Sequence, residues 1–571
     1  GRDNVSAICA IGRMDTKAAI RDVSRALAIP LDQADKVAKM IPVKRGKPMP
    51  IAEAMDTIPE FRNYIQADAK LMQMTEAVRR IKKIARNVSV HACGYVITPE
   101  PVVEYVPQRR APQNTDMIIT QIEGVYLEDV GLMKYDFLGL RTHTVIKNVE
   151  TAIQKQHGIV IDWEKIGLED KKTYVLYQKA LTDGVFQVES PGMKKYLKDL
   201  VPTTILDICF MCAAYRPGPM KYIPDYIMRK HGKQEITYLH PDMIPLLEST
   251  MGFAIYQEQV MAIAVAMAGY TIGGADILRR IMSKKKKDDL DKEKPKFVQG
   301  MLDKGYTQEL TEQVFEYLMP FADYGFNKSH SAVYAVVSYH SAYLKAHHPI
   351  EFVVGLMQAD MGHAEKLEND LAQAVQMHIQ VLPPQINQSN LEFSIEYHND
   401  ELEEHWLDDN FAEELEKRKA KGEYHYIGTV RYGLKGIKGA SQKALEAIVE
   451  ERGKGGDFKH LDHLLSRLDL ERVDKKTILL LAQSGAFADW GERNALVMLI
   501  PVLYDRYRAD TKKENVEQIS MFALKEGETR QHDLIQQTPM PQVEPVSVMQ
   551  ILKWEKELFG IYLSSHPLHQ Y

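Results

Sequence analysis

Lys134-Tyr135-Asp136 sets a cation and a carboxylate two positions apart inside the largely apolar run from Leu132 to Leu140. On a strand, residues two apart point to the same side, so the two charges share a face. An acid in such a run is costly to bury unless a cation or a metal meets it. Two readings stand: a structural ion pair, or a carboxylate placed for a divalent ion. Asp276, Arg279 and Arg280 fall within one turn of a helix, and paired arginines present a fork of donors suited to phosphate oxygens. The alternative there is a solvated helix face. Asn327-Lys328-Ser329-His330 gathers polar groups before a helix start, where N–H groups and the dipole favour an anion. Arg86, Asn87 and His91 precede Gly94 and a strand from Tyr95 to Thr98, and suit an anion-facing loop. Lys435-Gly436-Ile437-Lys438-Gly439 contains a Gly-x-x-Gly hairpin. Such a hairpin exposes backbone N–H groups at the next helix start and grips duplex phosphate without reading bases. Ser441 can cap that helix, whose apolar face is Leu445, Ile448 and Val449.

Other groups of the right type lack the right surroundings. Asp289-Leu290-Asp291 is a D-x-D, but it lies among lysines and glutamates and reads as a solvated loop; phosphoryl-transfer carboxylates need a dry, shaped pocket. Cys209 and Cys212 form a lone CxxC in an apolar segment and read as buried thiols. His340, His347 and His348 read as lacking metal-ligand partners and as surface or packing residues. Gln518-Ile519-Ser520-Met521-Phe522 is an apolar island in the polar, Pro-containing stretch 511–547, a candidate docking peptide.

The elements that must position these groups can be drawn coarsely. Val5 to Ile11 reads as a buried strand, and Lys17, Ile20, Val23 and Leu27 mark a helix starting at Thr16. Residues 31–85 read as short helices between Pro turns. Ile118 to Gln121 is another strand, so residues 90–140 can form one sheet that carries Asp136. A helix over Thr144 to Gln156 follows, and the chain then turns largely helical. Residues 384–426 contain an acidic, irregular stretch that looks like an insertion or linker. The 571 residues should make several domains; 45% are hydrophobic and 26% charged, as in an ordinary globular protein. A net charge of −6 means that any nucleic-acid-binding surface must be local. Four cysteines fit a reducing compartment, and there is no long apolar run or signal peptide, so the expectation is cytoplasmic with no membrane contact.

In this order the motifs closely resemble the C-family replicative DNA polymerases, the alpha subunit of bacterial DNA polymerase III. The resemblance is carried by Lys17 to Val23, Arg86-Asn87 with His91-Ala92, Lys134 to Leu140, Phe186 to Ser190 and Tyr215 to Pro219. It continues through Tyr256 to Met261, Gly273 to Asp276, Arg279-Arg280, Gly325 to Ser331 and Ser484 to Phe487. It spans the chain except the acidic segment near 396–426.

The resemblance implies an α+β, mostly helical polymerase right hand: a partial palm sheet, helical thumb and fingers, and a helix-hairpin-helix duplex- and clamp-binding region. Its implied divisions are palm remnant 1–13, thumb 14–91, second part of the palm 92–141, fingers 142–385, little finger 386–505 and clamp-binding segment 506–571. Asp136 then looks like the third metal-binding aspartate of a two-Mg²⁺ site, with Lys134 beside the triphosphate. Arg86, Arg279 and Arg280 would hold phosphates of the incoming dNTP. Asn327, Lys328 and His330 would line its pocket, with His330 a candidate steric gate. Lys435, Gly436, Lys438, Gly439 and Ser441 would hold the primer-template duplex, and Gln518 to Phe522 the sliding clamp. The implied function is template-directed DNA synthesis as part of the catalytic subunit; the alternative is a non-catalytic module that binds duplex and clamp. The family's paired D-x-D aspartates, its PHP domain and its OB-fold have no counterpart here. The expectation is therefore an internal part of a larger subunit, inactive alone, whose contacts to the clamp-loader tau and proofreading exonuclease subunits lie in regions not present.

Overall fold

The computed structural model describes residues 1–44, 47–81, 84–112, 116–284, 287–517 and 535–565. The chain divides into two compact units, Gly1–Leu140 and Arg141–Tyr571.

The first unit is built on strand β1 (Val5–Arg13), whose Ser6 to Cys9 are buried. A two-residue hairpin, β2 (Val43–Lys44) and β3 (Lys47–Pro48), lies among the helices that follow. Strands β4 (Ala85–Ile97), β5 (Gln108–Arg110), β6 (Ile118–Glu123) and β7 (Lys134–Asp136) complete a five-stranded sheet in the order β5-β6-β1-β4-β7. β1 runs parallel to β6 and antiparallel to β4, and β7 pairs antiparallel with the far side of β4. β7 is thus an edge strand. The helix Thr16–Ala26 starts where expected, with the Asp15 side chain accepting from the Ala18 N–H. With four more helices between Leu31 and Ile81 it encloses a core that includes Ile20, Val37, Phe61, Ile65 and Met74.

One expectation fails in this unit. Ala85 to Gly94 is not a loop before a strand but the greater part of β4, paired with β1 from Arg13 back to Val5. Its polar side chains read as loop because the strand is only half covered: Arg86 and Asn87 are exposed, and Val88, Val90 and Tyr95 pack against the sheet's own apolar residues.

The second unit is mainly helical. Helix Arg141–His157 packs on Pro349–Ala359, and Lys328–His347 packs on Ile205–Ala214. All nine residues from Pro349 to Met357 are buried, the pattern of a central core helix. β8 (Ile379–Leu382), β9 (Ser394–His398) and β10 (Gly428–Arg431) form a small sheet in the order β8-β10-β9. Helices Gln442–Gly455, Lys475–Ser484, Arg493–Glu517 and Val548–Leu558 follow. Two more expectations fail here. The acidic stretch is not a linker: it contributes β9, the helices Asp400–His405 and Phe411–Ala420, and the buried side chains Leu402, Trp406, Leu407, Phe411 and Leu415. Asp289 and Asp291 lie in a helix, Lys287–Asp303, rather than a loop. Among the described residues no helix is long and apolar enough to cross a membrane.

Candidate functional site

In the first unit the chemistry collects on the open edge of the sheet. Register pairs Asp136 with Gly94 and Lys134 with Val96, so both charges emerge on one face of β7, as period-2 alternation requires. Lys134 Nζ lies 3.2 Å from Asp136 Oδ1. The Asp136 side chain is 50% exposed, so the cost of burial is only partial; the acid stands at the open edge of the sheet. Cys93 and His91 of β4 complete the group. The Cys93 thiol donates to Asp136 Oδ1 at 3.5 Å, and Lys134 Nζ is 3.3 Å from His91 Nε2. His91 Nδ1 accepts from the Gly94 N–H at 2.9 Å, which fixes the ring. Gly94 has to be glycine. A Cβ there would sit 2.9 Å from His91 Nδ1 and 3.1 Å from both Ile8 Cδ1 and Lys134 Cε.

Partial desolvation works against the ionised Asp136, but hydrogen bonds from Lys134 and Cys93 and the charges of Lys134 and His91 outweigh it, holding the carboxyl below its usual range. Desolvation, and then Asp136 itself, push the Cys93 thiol up. Donor atoms of His91, Cys93 and Asp136 lie within 4.8 Å of one another. That set suits a soft ion better than Mg²⁺, which takes oxygen ligands in a near-octahedral shell. For Mg²⁺ the residues present supply one carboxylate and not a complete site. Arg86, at the start of β4, is held by Asp22 of the first helix, 2.9 Å away.

In the second unit Asp276 accepts from Arg279 at 2.7 Å and lies 2.8 Å from Arg280. The Arg279 hydrogen bond foremost keeps the Asp276 carboxyl ionised below its usual range. Asn327 caps helix Lys328–His347, accepting from the His330 N–H at 2.7 Å. The anion at this helix start is a protein group: Glu258 accepts from Asn327 Nδ2 at 3.0 Å and from the Lys328 N–H at 2.9 Å. His330 packs against Tyr334, with ring centroids 4.0 Å apart, and edge-on to Phe326. The Arg216 guanidinium lies over the Phe326 ring, 4.1 Å from its centroid.

Family models match three stretches: the bacterial DNA polymerase III alpha NTPase domain over residues 1–139, the finger domain of the same subunit over 142–305, and a helix-hairpin-helix motif over 378–496. Curated relatives match along the whole chain. DNA polymerase III subunit alpha of Thermus aquaticus is 36% identical over 578 residues, and those of Escherichia coli K12 and Bacillus subtilis 168 are 36% identical over 585 and 569. The chain belongs to the DNA polymerase III alpha family. It spans less than half the length of these relatives, 44% of the first and 47% of the other two, while all of its own residues are covered.

Within the helix-hairpin-helix region of this polymerase III alpha chain, the expected duplex-facing residues separate by role. Lys438 and Gly439 are exposed at the hairpin tip, and Gly439 has φ +84°, a left-handed conformation that glycine adopts without strain. Gly436 is buried, where any Cβ would sit 2.4 Å from the Tyr432 ring. Lys435 lies 3.7 Å from Glu392. Ser441 occupies the N-cap position without a side-chain cap bond; its N–H donates to Thr477 Oγ1 at 3.1 Å. Gln518 to Phe522 lie outside the described residues. Sequence reading passed over Cys93 and Glu258, which sit beside its chosen residues. The signal for Cys93 was the adjacent Gly94, which marks where β4 and β7 crowd together around Asp136.

Proposed function

We propose that this chain is part of the catalytic subunit of a bacterial replicative DNA polymerase, extending a primer 3′-OH with dNTPs on a template. The observation that carries this reading is Asp136 beside Lys134 on the open-edge strand β7. In phosphoryl transfer the protein mainly positions reactants and neutralises charge. In the first unit Asp136 would supply one oxygen ligand to the metal, and Lys134 and Arg86 cations to phosphates. In the second unit Arg279, Arg280 and His330 are the candidates for nucleotide contacts, and Asn327 and Lys328 could join them only by releasing Glu258. When bound, divalent ions such as Mg²⁺ would activate the primer oxygen and stabilise the leaving pyrophosphate. A two-ion site needs further carboxylates besides Asp136.

In this reading the helices between Thr16 and Ile81 are the thumb, the boundary expected at 91 falling inside β4 of the sheet, with 142–385 the fingers and 386–505 the little finger. Lys438 and Gly439 grip product duplex through its phosphates, a salt-sensitive and sequence-independent hold. Gln518 to Phe522 engage the sliding clamp, and the protein works in the cytoplasm. The solitary Asp136 also favours a second reading, a module that holds duplex and clamp without chemistry.

Primer extension with Mg²⁺ and four dNTPs separates the two. The chain is mixed with a separately made polypeptide carrying the family's D-x-D palm strand. Synthesis is expected only in the mixture, and Asp136→Ala should lower it by about 10³-fold or more, since a metal ligand controls several kcal/mol of transition-state charge. Duplex binding with no synthesis in either tube would establish the non-catalytic module. Incorporation by the chain alone would refute the incomplete site.

A further inference from the structure

The central helix Pro349–Ala359 carries a carboxylate, Glu351, that is fully buried. An isolated ionised carboxylate at such a place is prohibitively costly, and buried charges are paired or coordinate metals. Three separate segments bring ligand-type side chains to it. His157 is the last residue of helix Arg141–His157, and its Nε2 lies 2.8 Å from Glu351 Oε1. His398 ends β9, with Nε2 3.8 Å from the same oxygen and 2.9 Å from Glu403 Oε2. Glu403 comes from the short helix Asp400–His405 and is nine-tenths buried. Glu351 Oε2 and Glu403 Oε1 are buried with no hydrogen-bond partner.

We propose that His157, Glu351 and His398 form a binding site for a first-row divalent ion of the zinc type, with Glu403, 2.9 Å from His398, placed to be drawn in as a fourth ligand. The donor atoms of His157, Glu351 and His398 lie within 4.8 Å of one another. Tetrahedral Zn²⁺ with bonds of about 2.0–2.1 Å holds its ligands about 3.4 Å apart, so the 2.8 to 3.8 Å contacts bracket the requirement. Two imidazoles select zinc-like ions over Mg²⁺ or Ca²⁺. The two carboxylates are balanced in charge by one dication. A ligating histidine usually gives its other nitrogen to a carboxylate, and Asp400 Oδ1 lies 2.7 Å from His398 Nδ1, which directs Nε2 to the cluster. Glu403, which groups with Glu351 and with His398 but not with His157, would complete the tetrahedron by closing on the ion, which makes the site a closed, structural one. It would pin the end of one helix and the β9–Asp400 corner onto the core helix. His348, whose donor lies within 4.8 Å of those of Glu351 and Glu403, is available as a fifth neighbour. His398, Asp400 and Glu403 all come from the acidic segment, which carries none of the motifs behind the family resemblance.

The test is cobalt titration of the full chain after chelator treatment and desalting. One equivalent of Co²⁺ should give the intense visible absorption of a four-coordinate nitrogen- and oxygen-ligated ion, and Zn²⁺ should abolish it. His157→Gln and Glu403→Gln should each lose the signal. Asp400→Asn, a change at an exposed side chain that leaves the core intact, should weaken binding about 10- to 100-fold. Cys93→Ser, which disables the mixed cluster at the first sheet, should change nothing. No cobalt spectrum in the folded chain would overturn the proposal. So would a spectrum that survives His157→Gln or disappears with Cys93→Ser.

Discussion

Asp136 and Cys93 are linked through one contact, the 3.5 Å approach of Sγ to Oδ1, and that link can be read without any polymerase assay. Desolvation and the neighbouring carboxylate together hold the thiol above its ordinary range, so the thiolate is scarce near neutral pH. Asp136→Asn removes the negative charge while keeping the shape and one acceptor oxygen. The Cys93 pKa should then fall, and the pH profile of its alkylation should move to lower pH, with a few-fold faster reaction at pH 8. Cys9 and Cys209 are buried and act as slow internal references. Peptide-resolved mass spectrometry after brief iodoacetamide exposure reads each site separately. An unchanged Cys93 profile would mean that thiol and carboxylate are not in contact in solution. The same reasoning explains why Gly94 tolerates no side chain: it keeps His91, Lys134 and Asp136 in one small volume.

Among the elements, helix Lys171–Gln178 shows how a cap doubles as a joint. Asp170 accepts from the Thr173 N–H and Oγ1, each at 2.7 Å, and lies 2.9 Å from His347 Nε2 on helix Lys328–His347. Desolvation raises its pKa, but the bonds from His347 and Thr173 win and bring it to about 2. A carboxyl lowered on folding stabilises fully above the unfolded value near 3.8 and ceases to do so as pH falls towards 2. Asp170→Asn keeps an N-cap side chain and removes the charge. Urea midpoints should show the variant about 1–2 kcal/mol less stable at pH 6, with about half of that difference gone at pH 3. A difference independent of pH would mean that the cap, not the charge, holds the joint. Some local features were legible in the sequence: the helix at Thr16 and the alternation at Lys134 and Asp136 follow from nearest neighbours, whereas Lys328 to His330, expected before a helix, already form the first turn of helix Lys328–His347. β4 was not, because its partner β1 lies far earlier in the chain and Arg86, Asn87, Ser89 and His91 break up its apolar pattern. The acidic segment was misread although Leu402, Trp406, Phe411 and Leu415 recur at helical intervals, since charge density masked them. The grouping of His157, Glu351 and His398 has no local spacing; only the packing of three distant segments creates it.

At the scale of the molecule, the division into Gly1–Leu140 and Arg141–Tyr571 gives each unit its own means of stability. The first rests on the small cores of its helices and sheet. The second encloses the helix Pro349–Ala359, on which the proposed ion site is built. A ligand that binds only the folded form stabilises it by RT ln(1 + [L]/Kd), about 2.7 kcal/mol at one hundred times Kd. That effect is confined to whichever cooperative unit contains the site. Calorimetry of the full chain should therefore resolve two transitions. Saturating Zn²⁺ should raise one of them by a few degrees, and chelator should lower the same one. Asp170→Asn, in the second unit, should shift that same transition, whereas Gly94→Ala should shift only the other. If Zn²⁺ moves the transition that responds to Gly94→Ala, the ion sits at the sheet edge and the second-unit site is wrong. If a single transition responds to every change, the two units unfold as one, and the independence of the sheet edge from the metal-pinned core fails with it.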